Sequence, residues 1–425
     1  TDAMWKKLKS FYNKDNYDLS KDVNPFEFHK TFYKIYQPNI ICNDSHHYYL
    51  LNSRFFNQNA ILFTMAFIAT VFASMSCYHG VQTLDLPHIT EAGTYTLLLG
   101  YELLILYCTR NNLPQYHSLL RALKQDFHFI CTDGEKYRAR YFEEQLITWK
   151  LCLFACILSA FAPVAINICA YLSLFYFLCT HGADTSESRP LLFPFWIPNV
   201  DFSQSPVYEI AFMFANICIL LYSYDYAFMF QTQIIWIRQI TSKVDLVIWS
   251  LQDLLVDIHP ATSKEESKYF SYLIQTRMRD IVRHHQSMYS LLEDFAIVYK
   301  KLLLFEQTIC GPVVCLTAYC LAEKLDKGEF QVILLLIGVA TFILHFVPSY
   351  LCTYLAYKVK SVSDACWGIP FWNAGPVIRP YLVLMIQRSL RPLPLQAPGF
   401  QDISIETFSQ KMTSAYTFFN MLRQT

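Results

Sequence analysis

The chemistry that the sequence offers is concentrated in its last stretch, Asp402 to Thr425, where polar side chains recur at helical spacing. One side of this stretch carries Gln410, Thr413, Ser414, Thr417 and Asn420, with Met421 beside the last of them. At about 1.5 Å per residue, a helix here is long enough to cross roughly 30 Å of hydrocarbon. A spanning helix that is polar on one side needs water or a polar partner along that side. Two interpretations stay open: the polar groups bond to neighbouring helices, or the helix lines a water-filled pore.

The rest of the sequence contains no recognisable catalytic or metal-binding motif. Walker loops, HExxH and GxSxG are absent, and no Ser/His/Asp or paired-carboxylate arrangement stands out, so an enzyme is not expected. Among the 14 cysteines, Cys310, Cys315 and Cys320 recur every five residues, which scatters them around a helix and does not suit metal ligation. We therefore predict neither a metal nor another cofactor.

Composition indicates a membrane protein. Of the 425 residues, 54% are hydrophobic and only 16% are charged, whereas a soluble domain carries about a quarter charged residues. The 34 basic residues balance 34 acidic ones, which argues against a nucleic acid as partner. Apolar runs long enough to span a bilayer occur at about 58–78, 93–109, 146–180, 207–237, 296–321 and 330–357.

With the polar-striped stretch as the seventh span, we predict an all-α membrane protein of seven transmembrane helices. Its parts are an N-terminal segment (1–57), a six-helix bundle (58–365) with a charged helical extension (238–300), a Trp- and Pro-rich segment (366–400) and the last helix (401–425). A short helix is also expected after Pro25.

Lysine and arginine flank alternate ends of the predicted spans. They crowd the segments 1–57, 110–145, 238–301 and 358–391, whereas the alternate loops hold only Arg189, Lys324 and Lys327. Since positively charged segments stay in the cytoplasm, we predict a cytoplasmic N-terminus and an extracellular C-terminus. This orientation is opposite to that of a G-protein-coupled receptor. It leaves the sequon at Asn43 in the cytoplasm, where it stays unglycosylated.

The predicted topology and the sequence from Trp367 onward resemble the insect odorant receptor family. The residues that carry the resemblance are Trp372, the run Tyr381–Ser389, Pro392, Pro398–Phe400, Ile405, Phe408 and the ending Ser414–Arg423. The motif match covers about sixty residues of the chain, and the loop lengths match throughout. The short cytoplasmic loops resemble those of a ligand-tuned subunit and not those of the shared coreceptor.

This resemblance implies an odorant-gated, non-selective cation channel in the plasma membrane of a sensory dendrite. Four subunits, including the odorant receptor coreceptor, would surround a central pore for permeating cations, with membrane lipid around them. A small volatile odorant would open it. A gustatory receptor that conducts as a homotetramer is the closest alternative, and a G-protein-coupled receptor is less favoured because of the charge bias.

The resemblance also implies roles for residues near the C-terminus. The pore wall and its gate would consist of Gln410, Ser414, Thr417, Asn420 and Met421, with the constriction at Met421. A cytoplasmic anchor where subunits meet would include Trp372, Tyr381, Met385 and Arg388. Lys411 departs from the family's mostly neutral pore helix; a lysine on the axis would repel cations, so we expect it to turn toward a neighbouring helix or the membrane interface.

The family's odorant pocket lies in the outer half of the bundle, among the second, third, fourth and sixth spans. By depth and helical spacing the candidate lining residues are Tyr95, Ile168, Tyr171, Phe175, Phe212, Ala215, Asn216, Ile333, Ile337 and Phe342. An airborne ligand calls for an apolar, aromatic pocket with one or two polar groups, and Tyr171 and Asn216 are the expected polar contacts. Ordinary bundle packing is the alternative explanation for each aromatic residue.

Overall fold

The computed structural model describes residues 46–112, 135–181, 189–256, 264–328, 331–370, 377–391 and 403–424, with scattered residues between 115 and 130 and Leu393. Eight helices lie within these ranges: α1 His46–Thr83, α2 Leu86–Asn111, α3 Glu135–His181, α4 Val207–Gln252, α5 Lys264–Asp326, α6 Val332–Trp367, α7 Arg379–Ser389 and α8 Ile405–Gln424. The fold is all-α, as predicted.

Each predicted span coincides with part of a helix. The charged stretch between the fourth and fifth spans is helical at both ends, since α4 continues to Gln252 and α5 begins at Lys264. Within the described ranges, five helices (α1, α3, α4, α5 and α6) are long and apolar enough to cross a membrane. The helices α2 and α8, of 26 and 20 residues, are not among these five. The seven-span count remains a prediction, and the helix expected after Pro25 lies outside the described residues.

The helices α1 to α6 run back and forth through one bundle. The connections α1–α2 and α5–α6 lie at the same end as the long connection that follows α3, and this is the predicted outer end. The helix α2 packs between α1 and α5, while α4 contacts α3, α5 and α6. The last helix, α8, packs against α5 and α6, and α7 lies against α6 at the opposite, predicted inner end.

The inner half of α4 forms the centre of the bundle. Every residue from Phe228 to Val247 is buried, so this helix is enclosed on all sides. The largest fully buried side chain, Trp236, packs edge-on against Phe295 and Tyr299 of α5. A helix with no exposed side must place its polar groups against partners, because an unpaired buried polar group costs free energy.

Charged side chains of α4 meet that requirement through ion pairs. Lys243 is buried and donates to Asp126, which is also buried, at 2.7 Å. Arg238 pairs with Glu144 of α3 at 2.5 Å, and Asp245 accepts from Lys358 of α6 at 2.7 Å. These pairs join α4 to its neighbours at the end of the bundle where the sequence concentrates its basic residues.

Large apolar side chains cover much of the perimeter of the bundle. Along α3, Phe154, Ile157, Phe161 and Leu172 are each at least half exposed, and α1 exposes Ile61 and Phe67 in the same way. Exposed apolar area of this extent marks a surface that contacts something other than water. On helices of this length and hydropathy, the partner is the hydrocarbon of a membrane.

We predict that Lys243→Met destabilises the chain by about 3–5 kcal/mol, because it leaves the buried Asp126 carboxylate without its counter-charge. The measurement is thermal stability of the detergent-solubilised protein by fluorescence-detected size exclusion. Adding Asp126→Asn should restore most of the loss, because the unpaired charge is removed and the acceptor for Gln239 is kept. The matched control is Arg283→Gln, which breaks an exposed pair with Asp280 and should cost less than about 1 kcal/mol. Equal losses in the two single variants would contradict the prediction.

Candidate ligand pocket and pore helix

An aromatic cluster fills the outer half of the bundle between α2 and α4. We call it the outer cluster; its rings are Tyr95 from α2, Phe193 and Phe195 from the connection after α3, and Tyr208 and Phe212 from α4. Tyr95 and Phe193 meet edge to face at 5.1 Å between ring centroids, and Phe193 meets Phe195 at 5.5 Å. All five residues are buried. Edge-to-face packing of this kind is the favoured arrangement of aromatic pairs.

The connection between α3 and α4 supplies the part of this cluster that helical spacing does not predict. Its sequence LLFPFW folds back between the helices, and Phe193 is only 3% exposed. Trp196 stacks on His79 of α1 at 4.2 Å, and the Tyr208 hydroxyl donates to the Pro190 carbonyl at 2.9 Å. The signal in the sequence is a run of large apolar residues interrupted by prolines, which can neither continue a helix nor remain in water.

A hydrogen-bonded turn closes this connection before α4 begins. Asp201 accepts from the backbone and the hydroxyl of Ser203 at 2.9 and 2.6 Å, and from the Gln204 amide at 3.0 Å. The hydrogen bonds from Ser203 hold the pKa of the Asp201 carboxyl below its ordinary value. The turn therefore keeps a charged acceptor at its centre at neutral pH.

Six of the predicted pocket residues lie together. Tyr95, Phe212, Ala215 and Asn216 are buried, and Ile333 and Ile337 of α6 pack against the same cluster. Four others face outward: Ile168, Tyr171, Phe175 and Phe342 are between 42% and 67% exposed. Tyr171 reaches the edge of the outer cluster, since its ring meets Phe212 at 5.2 Å.

Phe342 lies on a different side of α6 from Ile333 and Ile337. It packs against Phe408 of α8, with ring centroids 5.3 Å apart. Five residues separate Ile337 from Phe342, and at 3.6 residues per turn this places the two side chains about 140° apart around the helix. Phe342 therefore belongs to the contact with the last helix and not to the outer cluster.

One polar atom in the outer cluster is free to receive a ligand. The Asn216 amide nitrogen donates to the Phe212 carbonyl at 2.7 Å, which fixes the orientation of the amide because that carbonyl can only accept. The Asn216 Oδ1 is buried and has no hydrogen-bond partner within the described part of the chain. A buried acceptor without a donor is suited to a ligand hydroxyl or other small donor.

The last helix, α8, packs on the bundle by one side only. Thr407, Phe408 and Ala415 are buried against α5 and α6. Lys411 turns to the same side, where its ammonium donates to the Gln307 carbonyl at 2.6 Å and also to the Gln307 side-chain oxygen. At the far end Arg423 pairs with Asp326. Lys411 thus points toward a neighbouring helix.

The predicted pore residues lie away from this packed side. Gln410, Ser414, Thr417 and Met421 are exposed, and Asn420 is partly exposed. The Ser414 and Thr417 hydroxyls each donate to the backbone carbonyl four residues earlier at 3.0 Å. Such bonds satisfy the hydroxyl hydrogen but leave the oxygen able to accept from water or from another chain.

Comparison with known proteins decides the family. A family model described as 7tm Odorant receptor matches residues 90–416, which is most of the chain. The chain belongs to the seven-transmembrane odorant receptor family. Curated relatives of this family from Drosophila melanogaster include odorant receptor 67c, 25% identical over 192 residues, and odorant receptor 85f, 24% identical over 197 residues. These matches cover 45% of this chain and 45% and 47% of the relatives, so the chain spans about half the length of the curated relatives it matches.

Solved structures of the family share the fold over almost the whole chain. The insect olfactory receptor OR5 from Machilis hrabei superposes with a TM-score of 0.62 at 14% identity, covering 94% of this chain and 99% of that one. The same receptor in complex with eugenol gives a TM-score of 0.70 at 15% identity, covering 95% and 100%. At these identities the likeness establishes the fold alone.

The predicted anchor of this odorant receptor family member lies at the inner end. Arg388 of α7 sits over the Tyr289 ring of α5 at 4.3 Å, and the Tyr289 hydroxyl donates to the Arg388 carbonyl at 3.2 Å. Met385 is buried, and Tyr381 is partly buried against the hydrophobic core around the inner half of α4. The fourth predicted anchor residue, Trp372, lies outside the described residues.

We predict that Phe193→Ala weakens the response to the receptor's most potent odorant about two- to tenfold in half-maximal concentration, as expected for losing an aromatic contact of about 0.5–1.5 kcal/mol. The measurement is a concentration–response curve in cells that express the receptor. The control is Phe175→Ala, because Phe175 is a predicted pocket residue that is 67% exposed on α3. A change in the half-maximal concentration for Phe175→Ala, with none for Phe193→Ala, would show that the ligand binds at the exposed face of α3.

Proposed function

We propose that this chain is the ligand-tuned subunit of an odorant-gated, non-selective cation channel that assembles with the odorant receptor coreceptor. A small volatile ligand binds in the outer cluster and opens a central pore. The receptor family and the match to olfactory receptor structures support the ligand-binding role. The channel role rests on the one-sided packing of α8.

The packing of α8 supports a channel because a membrane helix with an open polar side needs water or a polar surface beside that side. Gln410 and Thr417 lie on the side of α8 that no described helix covers. Lipid would leave the Gln410 amide unsatisfied, whereas water in a pore or a polar surface of another subunit would satisfy it. Lys411, the one cation in the middle of the helix, bonds to α5 on the packed side, so a passing cation would not meet it.

Partner subunits are supported by exposed apolar residues at both ends of the C-terminal region. On α7, Val383 and Leu384 are 52% and 64% exposed, and on α8 Tyr416 and Phe418 are 66% and 59% exposed. The short helix α7 lies where the sequence predicts cytoplasm, so lipid does not explain its exposed face. A neighbouring subunit at α7, in the plasma membrane of a sensory neuron, fits this surface.

The ligand we propose is a small, largely apolar or aromatic volatile molecule that carries a hydrogen-bond donor. The rings of Tyr95, Phe193 and Phe212 would contact its body, and the open Asn216 Oδ1 would accept from its donor. A ligand with only an ester or ether oxygen would leave that acceptor unpaired. Eugenol, present in the OR5 complex, is one member to include in a ligand panel.

Recording from cells that express this chain alone, the coreceptor alone, or both tests the function. A panel pairing volatile alcohols and phenols with their methyl ethers should evoke cation current only when this chain and the coreceptor are together. The hydroxyl-bearing member of the preferred pair should be more potent. Current from this chain alone would favour a homotetrameric gustatory type. Surface-expressed pairs that respond to no volatile would refute the proposed function.

We predict that Met421→Ala raises the resting current, because a smaller apolar side chain at the proposed outer constriction weakens its tendency to exclude water. Patch-clamp recording without ligand, normalised to surface labelling, measures this. The control is Ile157→Ala on the lipid-facing side of α3, where the exposed fraction of 59% is close to the 53% of Met421. Unchanged leak, rectification and ligand response in Met421→Ala would remove Met421 as the gate.

A further inference from the structure

A buried carboxyl group on α5 joins the two helices that carry the outer cluster. Glu306 is 5% exposed and accepts a hydrogen bond from the Tyr101 hydroxyl of α2. It also accepts from the Gln233 amide of α4 at 3.0 Å. Tyr101 and Gln233 are themselves 3% and 1% exposed. Both donors bond to the same carboxylate oxygen, Oε1, so one enclosed carboxyl group links α5 to both α2 and α4.

The next residue along α5 holds the last helix. The Gln307 carbonyl and side-chain oxygen both accept from the Lys411 ammonium of α8. Successive residues of a helix point about 100° apart, so Glu306 and Gln307 face different neighbours from the same turn. On α5, therefore, Glu306 bonds to α2 and α4, and the next residue, Gln307, bonds to α8.

The charges around this point attract each other across α5. Of the groups that surround Lys411, the Glu306 carboxyl is the acidic one that acts on it, and Cys310 and His345 lie close by. His345 of α6 donates from its Nδ1 to the Thr341 carbonyl at 2.7 Å, because a carbonyl oxygen can only accept. When Glu306 is ionised, its displacement in a medium of low dielectric constant changes the energy of Lys411.

On α2 the outer cluster lies close to this carboxyl, whereas on α4 seventeen residues, about 25 Å of helix, separate Asn216 from Gln233. Tyr95 and Tyr101 lie on α2 less than two turns apart. Asn216 and Gln233 lie on the same continuous helix, α4. A ligand that displaces α2 in the outer cluster would act on the bond from Tyr101 to Glu306, and the bond from Gln233 of α4 meets the same carboxyl group.

We propose that Glu306 and Gln307 are positioning residues for the pore helix: they transmit the displacement of α2 on ligand binding to Lys411 and so to α8. This inference rests on the proposed function, because it assigns the route between its ligand site and its pore. The bonds from Tyr101 and Gln233 hold α5 in the resting position, and Lys411 keeps α8 against α5. Neither residue touches ligand or permeating ion.

A double-mutant cycle between the two ends of this route tests it. The variants are Tyr101→Phe, which removes only the hydroxyl donor to Glu306, Lys411→Met, which keeps the length of the side chain without its charge, and their combination. The readouts are half-maximal odorant concentration and ligand-free current in cells with the coreceptor, normalised to surface labelling. We expect each single variant to shift the half-maximal concentration, and the double variant to differ from the product of the single effects by about threefold or more.

The matched control is Tyr299→Phe. The Tyr299 hydroxyl is also buried and donates across helices, to the Thr232 hydroxyl of α4 at 2.8 Å. A merely structural role would lower surface expression alike in Tyr101→Phe and Tyr299→Phe and would leave the half-maximal concentration unchanged. Glu306→Gln, which keeps an acceptor for both donors while removing the charge, should reproduce the Lys411→Met change in ligand-free current.

The outcomes separate this inference from the proposed function. If the wild-type pair responds to odorant but Tyr101→Phe behaves as Tyr299→Phe does, or the cycle is multiplicative within about threefold, the route through Glu306 is wrong and the function stands. If the wild-type pair conducts but no volatile gates it, the proposed function is wrong, and the inference that rests on it is wrong with it. A coupled cycle together with an odorant-gated wild type supports both.

Discussion

A polar group inside a membrane protein must find a polar partner, and this requirement governs the whole arrangement of the chain. It explains why Lys411 bonds to the Gln307 oxygens, and why the charged side chains of α4 are paired with Asp126, Glu144 and Lys358. It also explains why Tyr101 and Gln233 converge on Glu306. The polar side of α8 lies open within the described part of the chain, and this is what points to water or another subunit beside it.

The requirement divides the bundle into two halves of different character. The inner half is built around α4, where twenty consecutive residues are buried and ion pairs connect four elements. The outer half contains rings and small residues, with few bonds that depend on exact geometry. Breaking a buried charge pair costs more than altering an apolar contact. The inner half is therefore the part that sets the relative positions of the helices.

Much of this fold could be predicted from the sequence, because length and hydropathy alone identify a spanning helix. The apolar runs gave helices in the expected places, and the family resemblance carried by Trp367 onward was confirmed by the family model. Position around a helix was harder to predict. Phe342 was grouped with Ile337 by depth, but five residues of separation turn it toward Phe408. Ile168 and Phe175 fit a helical face equally well whether that face meets lipid or ligand.

The loop residues and the polar junction could not be predicted for a different reason. Phe193 and Phe195 enter the outer cluster from an irregular connection, and no periodicity places such residues. Glu306, Gln233 and Tyr101 lie far apart in the chain, and only tertiary packing brings them together. An acid within an apolar run is a signal that a partner exists, but the sequence does not identify that partner.

The irregular connection that closes the outer cluster has an evolutionary consequence. Because Phe193 and Phe195 belong to a segment without helical register, insertions, deletions and exchanges there leave the spans and their assembly surfaces in place. Receptors of this family can therefore vary this wall of the outer cluster while their helices keep the same arrangement.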